Sequence, residues 1–187
     1  AGDGADQGNL LDAPTERPKQ IDKQSALELL KPMLEDPSVL KVGHNMKYDW
    51  LIFRRHGIEV APVDDSMLIS YVLEGGLHGH GMDELAELHL DHKTIPFKEV
   101  AGSGKDQVTF DKVPLDKATE YAAEDADITG RLHRLLKPRL RESHVLTLYE
   151  TVERPLVPII GEMERAGIKV DREVLADLSK DFARRMG

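Results

Sequence analysis

The feature that most constrains the fold is one strand candidate that leads directly into a helix. Residues 39–43 (VLKVG) form the clearest β-strand candidate in the chain, because their aliphatic residues end at a glycine. Asn45 follows at once and suits the N-cap of a helix over residues 46–56, with Gly57 as its stop. A strand, a tight turn and a helix predict an α/β unit, whose strand needs partners.

Helical periodicity dominates the rest of the chain, interrupted by glycine and proline. Residues 1–23 have no sustained period and predict a loop or disordered lead-in. Asp64 or Asp65 is expected to cap a helix, and Pro138 to bend or end another. Helices are predicted over residues 22–34, 66–73, 82–90, 115–140 and 145–165 and from 171 onwards, a short strand over 58–63, and mobile loops over 75–81 and 101–107.

Composition narrows the function classes. The formal net charge of −9 argues against a chain that wraps nucleic acid through bulk electrostatics, although recognition of a strand end remains possible. The absence of cysteine excludes disulfides and thiolate metal sites, and it fits a reducing compartment. No apolar run approaches the roughly 20 residues that span a bilayer, so we expect a soluble intracellular protein without a membrane partner.

Two short motifs carry candidate chemistry. Tyr121 and Asp125 are four residues apart in a helical pattern, so they share a helix face on which a water molecule and a metal ion could be held. Asp49 lies one helical turn after the predicted strand end, where sites in α/β sheets gather. Solvated acids on amphipathic helices are the alternative. Two-metal phosphodiester hydrolysis needs more carboxylates than these two.

The other polar side chains that stand out are expected to be exposed to solvent. His78 and His80 lie in the glycine-rich loop, and without further ligands at suitable spacing they are expected to be solvated, with a lesser role near phosphate. A basic run follows the second motif and is expected to be a solvated helix face, with phosphate contact as the weaker alternative. Its members are Arg131, Arg134, Lys137, Arg139 and Arg141.

The motifs together resemble a known family. Residues 44–49 (HNMKYD), 65–68 (DSML) and 121–127 (YAAEDAD) resemble, in order and spacing, the second and third exonuclease motifs of the proofreading domain of the bacterial DNA polymerase I family. The resemblance continues through residues 93–97 and 101–105. Residues 153–158 and 167–171 resemble the entry to the polymerase domain of that family, and the similarity is nearly continuous from residue 24 to 187.

The resemblance implies an RNase H-like 3'-5' exonuclease fold and a site for it. By position, Asp49 and Asp125 would be catalytic ligands of Mg²⁺ or Mn²⁺, and Tyr121 would orient the attacking water. Asn45 and Tyr48 would lie beside the bound strand, and Phe97 would contact a terminal base, with a core aromatic as the alternative. Asp65 stays mainly a helix cap.

One departure from the family matters more than the matches. The first exonuclease motif of the family is an Asp-x-Glu pair on the first strand, and no such pair precedes the strand–turn–helix unit here. Residues 1–23 resemble the variable loop after the first three strands of the family, so we expect this chain to lack those strands. The expected fold is mostly α-helical with a remnant sheet, one weakly held ion or none, and little or no hydrolysis.

The resemblance also divides the chain and suggests its partners. Residues 24–144 would be the C-terminal portion of the exonuclease domain, and 145–187 the first helices of a polymerase domain, in a fragment of a larger enzyme. The partners would be a single-stranded DNA 3' end, the remaining polymerase and, through the exposed sheet edge, a second copy of the chain. The location would be the bacterial cytoplasm and nucleoid.

Two alternatives to an exonuclease fragment stay open. The exonuclease fold can serve as a catalytically silent scaffold that packs against the polymerase domain, although the retention of Asp49, Tyr121 and Asp125 speaks against long decay. A related 3'-5' exoribonuclease uses similar motifs, but the polymerase-like sequence of residues 153–171 disfavours it.

Overall fold

The computed structural model describes residues 20–187, and most of the predicted lead-in over residues 1–23 lies outside them. Within this range the chain is mostly helical. Its helices are α1 (Lys23–Glu35), α2 (Met46–Arg55), α3 (Ser66–Glu74), α4 (Met82–Leu90), α5 (Phe97–Ala101), α6 (Leu115–Glu142), α7 (Leu146–Leu148), α8 (Arg154–Ala166) and α9 (Arg172–Met186). None of these helices is both long and apolar enough to cross a bilayer.

The two described strands form a small parallel sheet. Strand β1 (Lys41–Gly43) pairs with β2 (Val63–Asp65), with Val42 opposite Asp64, and α2 connects them as the crossover of a βαβ unit. The prediction of a strand over residues 39–43 is confirmed over its last three residues. The second strand was placed too early: residues 58–61 are irregular, and pairing begins at Val63. Apolar Ile58 and Val60 are buried all the same, so their hydrophobicity reflects burial in a loop.

Two apolar clusters hold the helices around this sheet. One joins α3, α4 and the second half of α6, and its fully buried members include Ile69, Leu85 and Leu132. The other joins α1, α2, β2 and α8 through buried residues that include Trp50 and Val157. The chain therefore places its sheet between two helical cores, with β1 and the first turn of α2 facing α6.

Helices α6 and α8 each continue through an internal proline. Pro138 was expected to bend or end its helix; α6 continues through Pro138 to Glu142, so the prediction of an end is wrong and that of a bend stays a prediction. The helix predicted over residues 145–165 is interrupted by a π-helical turn over Tyr149–Glu153, between α7 and α8. That turn faces the core, because Tyr149 is fully buried. Residues 145–166 thus pack on the preceding helices, while the domain division at residue 145 stays a prediction.

Candidate functional site

A cavity of about 570 Å³ separates β1 and α2 from α6. Asp49 of α2 and Asp125 of α6 both line it, so the structure places these two predicted site residues at one cavity. The remaining lining residues are Val42, Gly43, His44, Met82, Ala126, Thr129 and Gly130. Among the described residues, the cavity wall includes none of Asn45, Tyr48, Phe97 and Tyr121, which were also predicted for the site.

Asp49 lies in the first turn of α2 and opens into the cavity. Its side chain is accessible, yet surrounding protein atoms desolvate the carboxyl group and raise its pKa, and the nearby charge of Asp65 raises it further. A concave wall explains both properties, because a group can be reached from solvent and still be poorly hydrated. A cation that approaches such a carboxylate stabilises its ionised form.

Asp125 and Tyr121 interact on one face of α6. Burial raises the pKa of Asp125, and the Tyr121 hydroxyl partly offsets that effect. Burial and the charge of Asp125 raise the pKa of Tyr121 to about 12, so the phenol stays protonated at neutral pH. A protonated phenol one helical turn from the carboxylate can both donate and accept a hydrogen bond. The arrangement can therefore hold a water molecule beside Asp125.

Three aromatic rings form a cluster around Tyr121. Phe97 meets Tyr121 edge to face with ring centroids 5.8 Å apart, and Phe110 lies 5.9 Å from Tyr121. Phe97 and Phe110 stack on each other at 6.3 Å, and both remain about 40% exposed. A core aromatic at position 97 is therefore the wrong alternative. Phe110 was not predicted, because it lies in a short 3₁₀ turn without helical or strand periodicity.

Glu124 fixes the segment that leads to Phe97. Its carboxylate accepts hydrogen bonds from the Ile95 N–H group at 2.6 Å and from the His92 ring at 2.8 Å. The loop between α4 and α5 is thereby tied to α6 one residue before Asp125. The sequence contained this signal, since Glu124 lies inside the motif over residues 121–127, but it had no assigned role.

Asn45 begins α2 in a way that the sequence did not predict. Its backbone is left-handed, with φ of 61°, and its side chain makes no capping hydrogen bond. The Asp65 carboxylate takes over this role, accepting from the N–H groups of Asn45 at 3.0 Å and Met46 at 2.8 Å. Asp65 also caps α3 through the Met67 N–H group, which confirms its predicted capping role.

Two further side chains around α2 complete this region. Tyr48 is 65% exposed on the surface of α2, where it is free to meet a ligand but does not face the cavity. His44 lines the cavity and its Nδ1 lies 2.9 Å from the Ser66 hydroxyl. Burial lowers the pKa of His44, which favours a neutral imidazole at neutral pH. His44 belongs to the motif over residues 44–49, but the sequence predicted no chemical role for it.

Several groups that were expected to be solvated have protein partners. His78 contacts Glu74, and His80 lies 2.8 Å from the Ser70 hydroxyl. In the basic run, Lys137 binds Asp64 and Glu150, and Arg139 binds Glu74. Only the tertiary fold brings these partners together, since Asp64 is 73 residues from Lys137 in the chain.

The donor set of the cavity fits one hard divalent ion in part. Carboxylate oxygens are the ligands that Mg²⁺ and Mn²⁺ prefer. Asp49 and Asp125 supply two carboxylates, and no third acidic or histidine side chain of residues 20–187 gathers with them into a three-ligand group. The chain does contain one Asp-x-Glu triplet, at residues 171–173, but Asp171 caps α9, so this triplet does not replace the strand motif. Two carboxylates are too few for two ions.

The chain is similar to bacterial DNA polymerases over most of its length. The family model for the 3'-5' exonuclease domain of family A DNA polymerases matches residues 7–141. The chain is 56% identical over 164 residues to the DNA polymerase I of Rhizobium leguminosarum, covering 88% of this chain and 16% of the relative. It is 42% identical over 173 residues to the enzyme of Pseudomonas aeruginosa, covering 90% and 19%. The chain thus spans less than a fifth of the length of these relatives.

Solved structures show the same fold at low identity. The structure of Brucella melitensis NrnC bound to pGG matches with a TM-score of 0.61 and 20% identity, covering 77% of this chain and 67% of that one. The same protein with bound Mg²⁺ matches with a TM-score of 0.59. These neighbours confirm the RNase H-like exonuclease fold, to which residues 20–187 contribute a small two-stranded parallel sheet. The extent and identity of the matches show that the chain belongs to the 3'-5' exonuclease family of DNA polymerase I.

Proposed function

We propose that the chain is the C-terminal part of a proofreading exonuclease domain that removes 3'-terminal nucleotides from DNA within a DNA polymerase I. The supporting observation is that Asp49 and Asp125, which are 76 positions apart in the chain, line one cavity, with Tyr121 one helical turn from Asp125. Residues 24–144 form this exonuclease portion, and residues 145–187 are the first helices of the polymerase domain in cis. The parent protein is an enzyme of the bacterial cytoplasm and nucleoid.

Asp49 and Asp125 would hold Mg²⁺ or Mn²⁺ through their carboxylates. Bound ions of this kind activate water and stabilise the leaving oxygen in phosphodiester hydrolysis. Two ions act in the intact domain, and the acids that complete the set belong to an Asp-x-Glu strand. This chain alone therefore holds one weak ion or none and has little or no activity. The bound Mg²⁺ of the fold neighbour supports divalent metal use.

The surrounding side chains would handle the DNA end. The protonated Tyr121 hydroxyl orients the water that attacks the phosphodiester, next to Asp125. Phe97 stacks on a terminal base, and the exposed Tyr48 and Asn45 lie beside the single strand. A neighbour of the same fold is described as bound to pGG, which supports binding of a short nucleic acid. A homodimer through an exposed edge of the sheet stays a prediction.

The test joins the chain to the segment that precedes it in the DNA polymerase I relatives. That protein should degrade single-stranded DNA from the 3' end in the presence of Mg²⁺ or Mn²⁺, and Asp125→Ala should abolish degradation. Asp127→Ala is the matched control, because Asp127 lies on the same helix but is exposed and pairs with Arg131. Full activity of the Asp125→Ala variant would refute the proposed site.

A catalytically silent scaffold is the second candidate, and the count of acids favours it. The described part of the chain brings only two carboxylates to the cavity, while α8 packs on α2 through a buried apolar cluster that includes Trp50 and Val157. The same experiment separates the two functions. A folded, longer protein that degrades no DNA with either ion would establish the scaffold.

A further inference from the structure

A second cluster of ligand-type side chains lies away from the cavity carboxylates, where α3 and α4 meet. Glu74 ends α3, His78 lies in the glycine-rich loop that follows, and His89 lies in the last turn of α4. One ligand atom from each of these three residues lies within 4.8 Å of the other two. This is the one group of three or more histidine and acidic ligands in the part of the chain that the structure describes.

The distances suit a small metal ion. Glu74 Oε2 lies 3.0 Å from His78 Nε2 and 3.2 Å from His89 Nε2. In a tetrahedral zinc site with bonds of about 2.0–2.1 Å, neighbouring ligand atoms are about 3.3 Å apart. Both distances from Glu74 Oε2 are therefore close to the separation that a shared ion requires, and the two histidine ligand atoms lie within 4.8 Å of each other.

His89 has a ring nitrogen that its surroundings do not satisfy. Its Nε2 atom is buried and makes no hydrogen bond to any described residue, because its position 3.2 Å from the Glu74 carboxylate lacks hydrogen-bond geometry. A buried polar atom without a partner is costly and rare in folded proteins. A metal ion at the centre of the cluster would provide the missing partner.

The second oxygen of Glu74 and the second ring nitrogen of His78 each have a protein partner, as is usual for the ligands of metal sites. His78 Nδ1 meets the Gly79 carbonyl oxygen, which leaves Nε2 directed at Glu74 and His89. Arg139 of α6 donates to Glu74 Oε1, which leaves Oε2 for an ion. Metal-ligating histidines usually donate their second ring N–H to a carbonyl or carboxylate, and such contacts fix the ligand in orientation.

We propose that Glu74, His78 and His89 bind a divalent ion of the zinc class, with water in the fourth position. Two imidazoles and one carboxylate form a known zinc ligand set, whereas Mg²⁺ prefers oxygen ligands throughout. The site is therefore chemically distinct from the Asp49 and Asp125 pair. It goes beyond the proposed exonuclease function and does not depend on it.

The ion would act as a clamp on the glycine-rich loop. The ligands come from the end of α3, from the loop and from α4, so one ion ties the loop over residues 75–81 to both helices. Arg139 connects the same cluster to α6. Helix α4 begins at Met82, which lines the cavity, so the clamp fixes one wall of the candidate site without touching it.

The test is a calorimetric titration of the chelator-treated chain with ZnCl₂ in excess Mg²⁺. We expect one zinc ion per chain. His78→Ala, His89→Ala and the size-conserving Glu74→Gln should each weaken binding by at least about 10-fold, because each removes one of three ligands. His56→Ala, which changes an exposed histidine after α2, should bind like the unchanged chain. Circular dichroism of each variant verifies that it is folded.

Three outcomes would overturn the proposal. One is the absence of zinc binding by the unchanged chain. Another is a zinc affinity in the folded Glu74→Gln and His89→Ala variants that equals the affinity of the unchanged chain. The last is binding that survives His78→Ala but is lost in Asp125→Asn, because that pattern would assign the ion to the cavity. Failure of the zinc site leaves the exonuclease test unaffected, since that test measures DNA degradation with Mg²⁺ or Mn²⁺.

Discussion

Asp64 of the sheet and the two cavity residues Asp49 and Asp125 have opposite surroundings. Asp64, at the centre of β2, is fully buried and contacts four partners: His133 at 2.8 Å, Lys137 at 3.0 Å, Tyr149 at 3.1 Å and Arg154 at 3.4 Å. Asp49 and Asp125 open into the cavity, and no ion pair involves either of them among residues 20–187. One carboxylate is neutralised by the protein, and the other two are not.

The pKa shifts express the same difference. Burial alone would raise the pKa of Asp64, but hydrogen bonds from His133, Lys137 and Tyr149 outweigh it and hold the pKa well below its usual range. The pKa values of Asp49 and Asp125 are raised, because desolvation acts on them without a compensating cation. A buried acid with fixed partners is a structural group, whereas a desolvated acid without them is suited to bind a charged ligand.

Replacing Asp64 should produce the largest loss of stability. Asp64→Asn removes the negative charge that Lys137, His133 and Arg154 share, and breaking such a pair by removing one partner costs about 3–5 kcal/mol. These partners are partly exposed, so we expect the lower end of that range in urea unfolding. Asp127→Asn, at an exposed ion pair, should change stability by less than about 1 kcal/mol. Equal effects of the two substitutions would contradict the structural role.

The stability that Asp64 contributes should depend on pH. Because its pKa is lowered in the folded state, that contribution is present above the unfolded value of about 3.9 and is lost as the pH falls through the folded value. The deficit of Asp64→Asn should therefore be greatest near neutral pH and shrink below about pH 4. Urea midpoints of both proteins across this range measure it, and a constant deficit would argue against the ionised network.

Two helical glycines allow a packed helix interface to be compared with the cavity wall. A Cβ atom at Gly161 of α8 would lie 2.6 Å from the buried Trp50 ring, so Gly161→Ala should cost about 1–3 kcal/mol. At Gly130 of α6, beside the cavity, the nearest atom would be a flexible Arg134 nitrogen at 3.5 Å. Gly130→Ala should therefore stabilise by about 0.5–1 kcal/mol through helix propensity. The measurement is the thermal unfolding midpoint of each variant. Equal shifts of the midpoint in the two variants would mean that the packed interface and the cavity wall do not differ.

Asparagine at the cavity aspartates should have the smallest effect and the opposite sign. A raised folded-state pKa contributes stability at low pH that is lost as the pH rises through that value, so the ionised groups are unfavourable at neutral pH. Asp49→Asn and Asp125→Asn should thus slightly raise the urea midpoint at pH 7 and change little below pH 4. A loss comparable to that of Asp64→Asn would remove the distinction between the two groups.

The sequence predicted local features well where residues close together in the chain determine them. The strand before Asn45, the helix over residues 82–90 and the Asp171 cap follow from periodicity and capping chemistry, and the structure has them. The RNase H-like fold came from the family motifs, because a three-residue strand gives too weak a pattern to specify a sheet. The same motifs led to Asp49 and Asp125, which lie on different helices.

The sequence failed where partners are distant in the chain. Asp64 and Asp65 are adjacent acids with similar local signals, yet one holds an ion network and the other caps two helices. Asn45 is a residue type that commonly caps helices, but here the Asp65 carboxylate of β2 accepts the hydrogen bonds at the start of α2. His89 gave no signal as a partner of His78, because the two are eleven positions apart, one in a loop and one in α4, and only the fold brings their rings together.

The contact between Trp50 and Gly161 has a consequence for evolution within the family. Because an indole ring occupies the space where a side chain at position 161 would begin, neither position can change freely alone. We expect an alignment of relatives to show the two positions varying together, with a larger residue at 161 only where 50 is smaller. Such a pairing would record that α2 and α8, on either side of the predicted domain division, were selected as one packed unit.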